Sequence, residues 1–368
     1  MTVGAGEPIP AASPVIGDAE IEAAVRVLRG GRVVQGPEVA AFEDEFAGLV
    51  AGRYCVAVSS GTSALHLALL ALGVGPGDEV IVPSFTFAAT ANAVRLVGAV
   101  PVFADIEADS FCLDPDAAAA AVGPRTAAIV PVHLYGHPAA MDRLVPLAER
   151  HGLAVVEDAA QAHAAALHGI PAGALGTAGC FSFYPTKNMH ALEGGMVTTA
   201  DAGTARTLRL LRNQGMEQRY ANEIVGVNAR MTDVAAAVGR EQLKRLADWT
   251  ERRRANAAFL DAKITGAVPP PVAAGARHVY HQYTVRVRGR DGVRRHLDER
   301  RVGSAVYYPA PVHRLAPFLR DGRPDPRWDL PETDRAAAEV LSLPVHPALT
   351  GEELIRVADA VNEAGGVP

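Results

Sequence analysis

Lys187 is a residue around which chemistry can be built. It stands in Phe181-Ser182-Phe183-Tyr184-Pro185-Thr186-Lys187-Asn188, followed by Glu193-Gly194-Gly195-Met196-Val197-Thr198-Thr199. Two strand-like runs separated by a glycine turn put the lysine on a loop bordering a cleft. Burial disfavours an ammonium, and an amine that loses its proton near neutral pH can condense with an aldehyde or carry protons. A second element is Ser59-Ser60-Gly61-Thr62-Ser63, lying between the apolar run Tyr54 to Val58 and a helical stretch, Ala64 to Leu72. The first amides of a helix lack internal partners and sit at the positive end of its dipole, so this turn is suited to an anion, phosphate first. Simple N-capping accounts for one of its hydroxyls but not for all of them.

Asp158 ends the apolar run Leu153-Ala154-Val155-Val156, where an ionised carboxylate is costly unless a cation meets it. A protonated pyridine nitrogen is such a cation, and the carboxylate keeps the ring charged and electron-withdrawing. A phosphate turn, an aromatic ring for stacking, Asp158 and Lys187 are together the parts of a pyridoxal 5′-phosphate site. Other residues at strand ends have plainer readings. Phe85 and Phe87 read as core side chains and His133 as a satisfied, partly buried histidine, with Tyr135 and Gln161 beside them.

The elements that must position these groups alternate. Strands are expected at Tyr54–Val58, Glu79–Val82, Val100–Asp105, Ala127–His133 and Leu153–Asp158, with helices at 64–72, 88–97 and 139–151. That alternation predicts an α/β fold with a mostly parallel central sheet covered by helices, and ligands at the carboxyl ends of its strands. Residues 7–15 form an extended arm, and helices follow at 18–28, ended by Gly30-Gly31, and at 37–50. Glu43, Asp44 and Glu45 are expected to be a solvated face. Helices at 232–246 and 249–262, with Arg252, Arg253 and Arg254 facing solvent, lead to a smaller α+β domain after Pro269-Pro270-Pro271. Its strands are 283–287 and 304–308, its helices 292–300 and 351–362. The expected division is an arm at 1–15, a large domain at 16–247 and a small C-terminal domain at 248–368.

The chain has 368 residues, a net charge of −6 without long runs of one sign, and three cysteines in apolar segments without a Cys-x-x-Cys pair. Neither nucleic acid nor an anionic membrane is an expected partner, and no disulfide framework or metal site is suggested. The first residues lack the regions of a signal peptide and no apolar run approaches membrane-spanning length, so a cytoplasmic location is expected.

Four of these segments, Ser59 to His66, Pro83 to Phe87, Glu157 to His163 and Phe181 to Asn188, closely resemble the DegT-type (DegT/DnrJ/StrS) sugar aminotransferases. Further matches are Gly226 to Asp233, Tyr307 to His313 and Leu341 to Pro344, so the likeness runs from about residue 14 to the C-terminus. The resemblance implies the type I, aspartate aminotransferase-like fold and a homodimer with shared active sites. It implies that Lys187 bonds the aldehyde of pyridoxal 5′-phosphate, Asp158 pairs with the ring nitrogen, Gln161 lies near the ring hydroxyl and Phe87 stacks on the ring. Gly61, Thr62, Ser63 and Ser182 would surround the phosphate, joined by Asn228 of the other subunit; Tyr308 and His313 are substrate-side candidates, and His190, where the family varies, faces either substrate or solvent. Ala164 and Val227 depart from the family pattern, which has Gly and Tyr there, and bear on fine geometry only.

The same resemblance implies transamination from L-glutamate to a nucleotide-diphosphate-linked keto sugar, the cofactor passing through pyridoxamine 5′-phosphate. Sugar 3-dehydratases on this scaffold carry a histidine in place of the lysine, so Lys187 favours transamination. Leu192-Glu193-Gly194-Gly195-Met196 resembles the turn of members acting on 4-keto sugars, and a dTDP-4-keto-6-deoxyhexose is the expected acceptor. The alternatives are a 3-keto sugar, an amino-cyclitol or aromatic-amine synthase, and a regulatory protein that binds the cofactor without turnover.

Overall fold

Near-continuous apolar runs make the central strands, as a sheet covered on both faces requires. The computed structural model describes residues 7–323 and 325–365. Helices α1 (Asp18–Gly30) and α2 (Pro37–Ala47) precede β1 (Tyr54–Val58), α3 (Gly61–Ala71), β2 (Glu79–Pro83), α4 (Ala89–Leu96) and β3 (Val100–Ala104). Then come α5 (Pro115–Ala120), β4 (Thr126–Ile129), α6 (Met141–His151) and β5 (Ala154–Asp158). A short hairpin, β6 (Ala166–Leu167) and β7 (Ile170–Pro171), leads to β8 (Ala178–Ser182), β9 (Gly195–Thr199) and α7 (Ala202–Arg212).

The seven-stranded sheet has the order β1-β9-β8-β5-β4-β2-β3, and only β9 runs against the others. On one face Leu65, Leu67 and Leu69 of α3, Val94 of α4 and Leu208 of α7 pack on Val56, Val80, Val82 and Val156. On the other, Leu144 and Leu147 of α6 pack on Ile81, Ile129 and Val155, while Phe42 and Phe46 of α2 meet Phe181 and Phe183.

A surface hairpin, β10 (Met216–Gln218) and β11 (Ala221–Asn222), precedes α8 (Asp233–Lys263). The rest comprises β12 (Ala276–Arg277), β13 (Tyr283–Arg286), α9 (Arg290–Glu299), α10 (Pro331–Glu339), β14 (Val340–Leu343) and α11 (Gly351–Ala364). Strands β13 and β14 pair antiparallel, and a separate core gathers Leu260, Tyr283, Leu297, Leu341 and Val357 with Ile9 of the arm. Residues 1–6 of the expected arm and 366–368 of the expected small domain lie outside the described residues.

Several expectations differ from what is found. The two helices expected between 232 and 262 are one, α8, which Thr232 caps by accepting the amide of Ala235 and which runs unbroken through 247 and 248. Helix α3 begins at Gly61 rather than Ala64, because the Ser60 hydroxyl accepts the Ser63 amide at 3.1 Å and draws the hydroxyl turn into the first turn of the helix. Strand β4 stops at Ile129, and beyond it only Val132 bridges Asp158. No strand forms at 304–308: Ala305 alone bridges Ser342, and the carbonyl of Tyr307 is taken by the Tyr135 hydroxyl. Helix α10 went unseen in the sequence.

Two charged residues expected on solvated faces turn inward instead, Arg253 buried and Glu43 half-buried. Arg253 lies on the inner side of α8, with Nη1 donating to the carbonyl of Tyr280 at 3.2 Å. Glu43 accepts the amide of Ala57 at 2.8 Å and pairs with Arg212 of α7, which also donates to the Ala57 carbonyl. This cluster stitches α2, β1 and α7 together. Removing one partner of a largely desolvated pair leaves the other uncompensated, at a cost of about 3 kcal/mol. Glu43→Ala is therefore expected to lower the urea unfolding free energy by about that amount, and an unchanged midpoint would show the pair to be idle.

Candidate active site

The carboxyl ends of β1, β2, β5 and β8 open on a cavity of about 470 Å³. A parallel sheet turns its loops to one edge, so residues far apart in sequence meet there. After β1 come Ser60, Gly61 and Thr62; after β2, Thr86 and Phe87; Asp158 ends β5 and Gln161 follows it; Ser182 ends β8 and Lys187 follows it. Tyr308 closes the small-domain side, along with His281, Gln282 and Tyr307.

Asp158 is 5% exposed. Its Oδ2 accepts the Thr90 hydroxyl at 2.8 Å and its Oδ1 the Ala160 amide at 3.2 Å. Burial pushes its carboxyl above the usual range, while these hydrogen bonds and the charge of Lys187 pull it back. Lys187 shows the opposite effect. Burial lowers its ammonium from 10.5 to about 8, opposed by Asp158, so a usable fraction of free amine exists near neutrality.

Gly61 and Thr62 open α3, and as its first residues their amides have no intrahelical partner. A Cβ on Gly61 would stand 2.7 Å from that of Ser182, so only glycine lets the serine lie against this helix start. Amides, the Thr62 hydroxyl and Ser182 thus form a cradle for an anion at one end of the cavity. Phe87 is 59% exposed, not core, and its ring borders the cavity 6.0 Å from that of Tyr308. Phe85 is fully buried, as expected of a core residue. Gln161 accepts the Tyr135 amide at 2.7 Å and donates to the Tyr308 hydroxyl at 3.0 Å. His133 is buried and satisfied, facing Glu157 at 2.9 Å and accepting the Ala139 amide at 3.0 Å.

Four candidates fall outside this cavity. Ser63 turns inward, its hydroxyl 3.0 Å from that of Ser59 and 2.9 Å from that of Ser60. His313 is buried against Ser84, ring nitrogen to hydroxyl 2.7 Å. His190 faces neither the cavity nor solvent and is packed beneath the arm, 3.3 Å from the Val15 carbonyl. Asn228 is exposed, in a bridge to Asn213. Sequence reasoning missed Thr90, whose hydroxyl fixes Asp158, and the cavity residues His281 and Gln282. Thr90 carries no local signal beyond its place in the first turn of the helix that follows Pro83–Phe87.

A buried acid able to face a ring cation, a lysine with a lowered pKa and an anion cradle on a type I fold are the apparatus of a pyridoxal 5′-phosphate-dependent aminotransferase. The chain belongs to the DegT/DnrJ/EryC1/StrS aminotransferase family, whose model matches residues 14–362. It is 47% identical over 350 residues to dTDP-3-amino-3,4,6-trideoxy-alpha-D-glucose transaminase of Streptomyces venezuelae, covering 94% of this chain and 92% of that one. It is 42% identical to UDP-N-acetyl-3-dehydro-alpha-D-glucosamine 3-aminotransferase of Acidithiobacillus ferrooxidans, over 91% of each chain. The crystal structure of S. venezuelae DesV in complex with a ketimine intermediate superposes with a TM-score of 0.90 at 45% identity, covering 94% of this chain and 93% of that one. Among the described residues no helix is long and apolar enough to cross a membrane.

An amide in place of the Asp158 carboxylate keeps the shape of the site but cannot hold a ring proton. Asp158→Asn is expected to retain bound cofactor, seen in its visible absorbance, while kcat falls roughly 100-fold or more. Unchanged kinetics would remove Asp158 from the chemistry.

Proposed function

We propose that this aminotransferase moves the amino group of L-glutamate to the carbonyl carbon of a keto sugar linked to a nucleoside diphosphate. The observation that carries the proposal is the meeting of Lys187, Asp158, Phe87 and the Gly61–Thr62 cradle in one cavity open enough for a sugar. When bound, pyridoxal 5′-phosphate supplies an aldehyde for amines and a ring that takes up electrons from the bonded carbon. Gly61, Thr62 and Ser182 would hold its phosphate, Phe87 would pack against its ring, and Asp158 would hold the proton on its ring nitrogen. Gln161, anchored between Tyr135 and Tyr308, steadies the ring edge. Lys187, with its amine near pKa 8, takes the proton from the α-carbon of glutamate and in the second half-reaction gives a proton to the sugar carbon.

The 4-keto expectation rested on the turn Leu192 to Met196, and packing accounts for most of that turn. A Cβ on Gly195 would collide with the Ser60 carbonyl, one on Gly194 with Met231, and Met196 is core. Only Glu193 of this turn reaches the cavity. The two relatives described above are named for 3-amino and 3-dehydro sugars. That favours amination at C3, with C4 as the competing reading. The test supplies dTDP-linked 3-keto-6-deoxy and 4-keto-6-deoxy hexoses with ¹⁵N-glutamate and locates the new C–N bond by NMR. The expected product is the 3-amino sugar; amination only at C4 restores the turn-based assignment, and transfer to neither removes dTDP-linked 6-deoxyhexoses as acceptors.

Asn228 belongs to a surface segment on which Tyr220 is 81% and Val225 94% exposed, an apolar display suited to a subunit interface. In the proposed homodimer Asn228 reaches the partner's cradle. Mixing Lys187→Ala chains with Asn228→Asp chains then builds one intact site per heterodimer, so activity should return to a fraction of wild type. No recovery in a proven heterodimer would mean that each chain builds its own site.

A further inference from the structure

We infer that residues 7–15 are a strap that holds the small-domain wall and the Lys187 loop in register, with His190 as the positioning residue through which the strap acts. At one end the arm is built into the small domain. The Ile9 amide donates to the Arg301 carbonyl at 2.9 Å, the Gly303 amide donates to the Ile9 carbonyl at 2.8 Å, and the Ile9 side chain is buried in the small-domain core. His346 adds a contact to the Pro10 carbonyl at 3.2 Å.

At the other end a single carbonyl takes the load. Val15 accepts the Gln242 side-chain amide of α8 at 2.9 Å and His190 Nε2 at 3.3 Å, while His190 Nδ1 accepts the Leu192 amide at 3.4 Å. His190 therefore ties the arm to the turn that follows Lys187. Between the two anchorages Ala12, Ser13, Pro14 and Val15 roof a chamber of about 20 Å³ walled by Thr186, Lys187 and Arg253. That is room for about one water. The arm thus covers the side of the lysine loop turned away from the main cavity, and lifting it would let solvent reach Lys187 from behind.

The far anchorage provides a lever remote from the site. A Cβ on Gly303 would stand 2.7 Å from the Ala11 nitrogen and 2.9 Å from the Ile9 oxygen, so Gly303→Ala pushes the arm away without touching the lysine loop. The groups that face Lys187 are Asp158 at the end of β5, His163 in the loop after it and His281 ahead of β13, with Arg253 of α8 across the chamber. Burial holds the Lys187 ammonium down to about 8, and hydration from behind carries it back up.

The inference rests on Lys187 being the reactive amine and not on the identity of the sugar, so it can be read on cofactor-free, substrate-free protein. Acetic anhydride labelling of Lys187, followed by mass spectrometry across pH, reports its free-amine fraction, with exposed Lys244 as the internal control. Measured against the high-pH plateau of each protein, which corrects for reagent access, labelling at pH 7 should slow by up to about tenfold in Gly303→Ala and in His190→Ala. The double variant should be no slower than either single one, and His190→Gln, which keeps a donor for Val15, should restore much of the rate. Gln242→Ala, which cuts the second tether, should act in the same direction and serves if Gly303→Ala does not fold. Wild-type labelling in both Gly303→Ala and Gln242→Ala overturns the strap. Additive effects of Gly303→Ala and His190→Ala overturn His190 as its transmitter.

Discussion

A carboxylate at the end of a central strand, shut away from water, is the constraint on which the site depends. Asp158 can be ionised there only because Thr90, Ala160 and a nearby cation share the cost of removing it from solvent. Each contributor comes from a different element. Thr90 is in the first turn of α4, Ala160 follows β5, and Lys187 lies on the loop between β8 and β9. The sheet has to bring β2, β5 and β8 to one edge before this acid can exist, so assembling the fold and assembling the site are one event.

Glycine lets those strand ends come close enough. Gly61 admits Ser182 to the helix start, and Gly195 lets β9 begin directly against the Ser60–Gly61 backbone. Side chains at either position would separate β1, β8 and β9 where their loops form the cradle. In this light Gly195 serves the closeness of two backbones and Gly194 leaves room for the Met231 side chain, and neither need read a sugar ring, which is why a turn that looks like a substrate signature has a packing cause.

Much of this was legible in the sequence. Apolar runs of five residues and helical spacing between them announced the parallel sheet, and the strand boundaries of β1, β2 and β5 fall within a residue of where the pattern puts them. Lys187, Asp158 and the hydroxyl turn were legible because each breaks the local rule around it: a lysine among aromatics, an acid ending an apolar strand, a cluster of hydroxyls before a helix. What stayed hidden depends on distance through space. Thr90 looks like any helical threonine until the fold sets it 2.8 Å from Asp158. Arg253 sits in a run of three arginines that resembles a solvated face, and only the path of α8 past Tyr280 shows which of them turns inward. His190, His313 and Ser63 have suitable chemistry near suitable motifs, yet each spends its polar atoms on a structural neighbour.

The two central ionisable groups are driven in opposite directions by the same burial. Desolvation raises the acid and lowers the amine, which by itself would favour a proton passing from Lys187 to Asp158 and leave both neutral. Chemistry needs a different combination: a lysine free to lose its proton and an aspartate that keeps its charge. If the attraction between them were the only thing holding the anion, every deprotonation of Lys187 would tend to protonate Asp158. The hydrogen bonds from Thr90 and Ala160 break that coupling, because they stabilise the carboxylate whether or not the lysine is charged. A neutral threonine hydroxyl suits this task better than a second cation, which would hold Asp158 more strongly but would further depress the ammonium of Lys187 and add another buried charge to compensate. The geometry around Asp158 thus lets two groups in one desolvated pocket titrate for separate purposes.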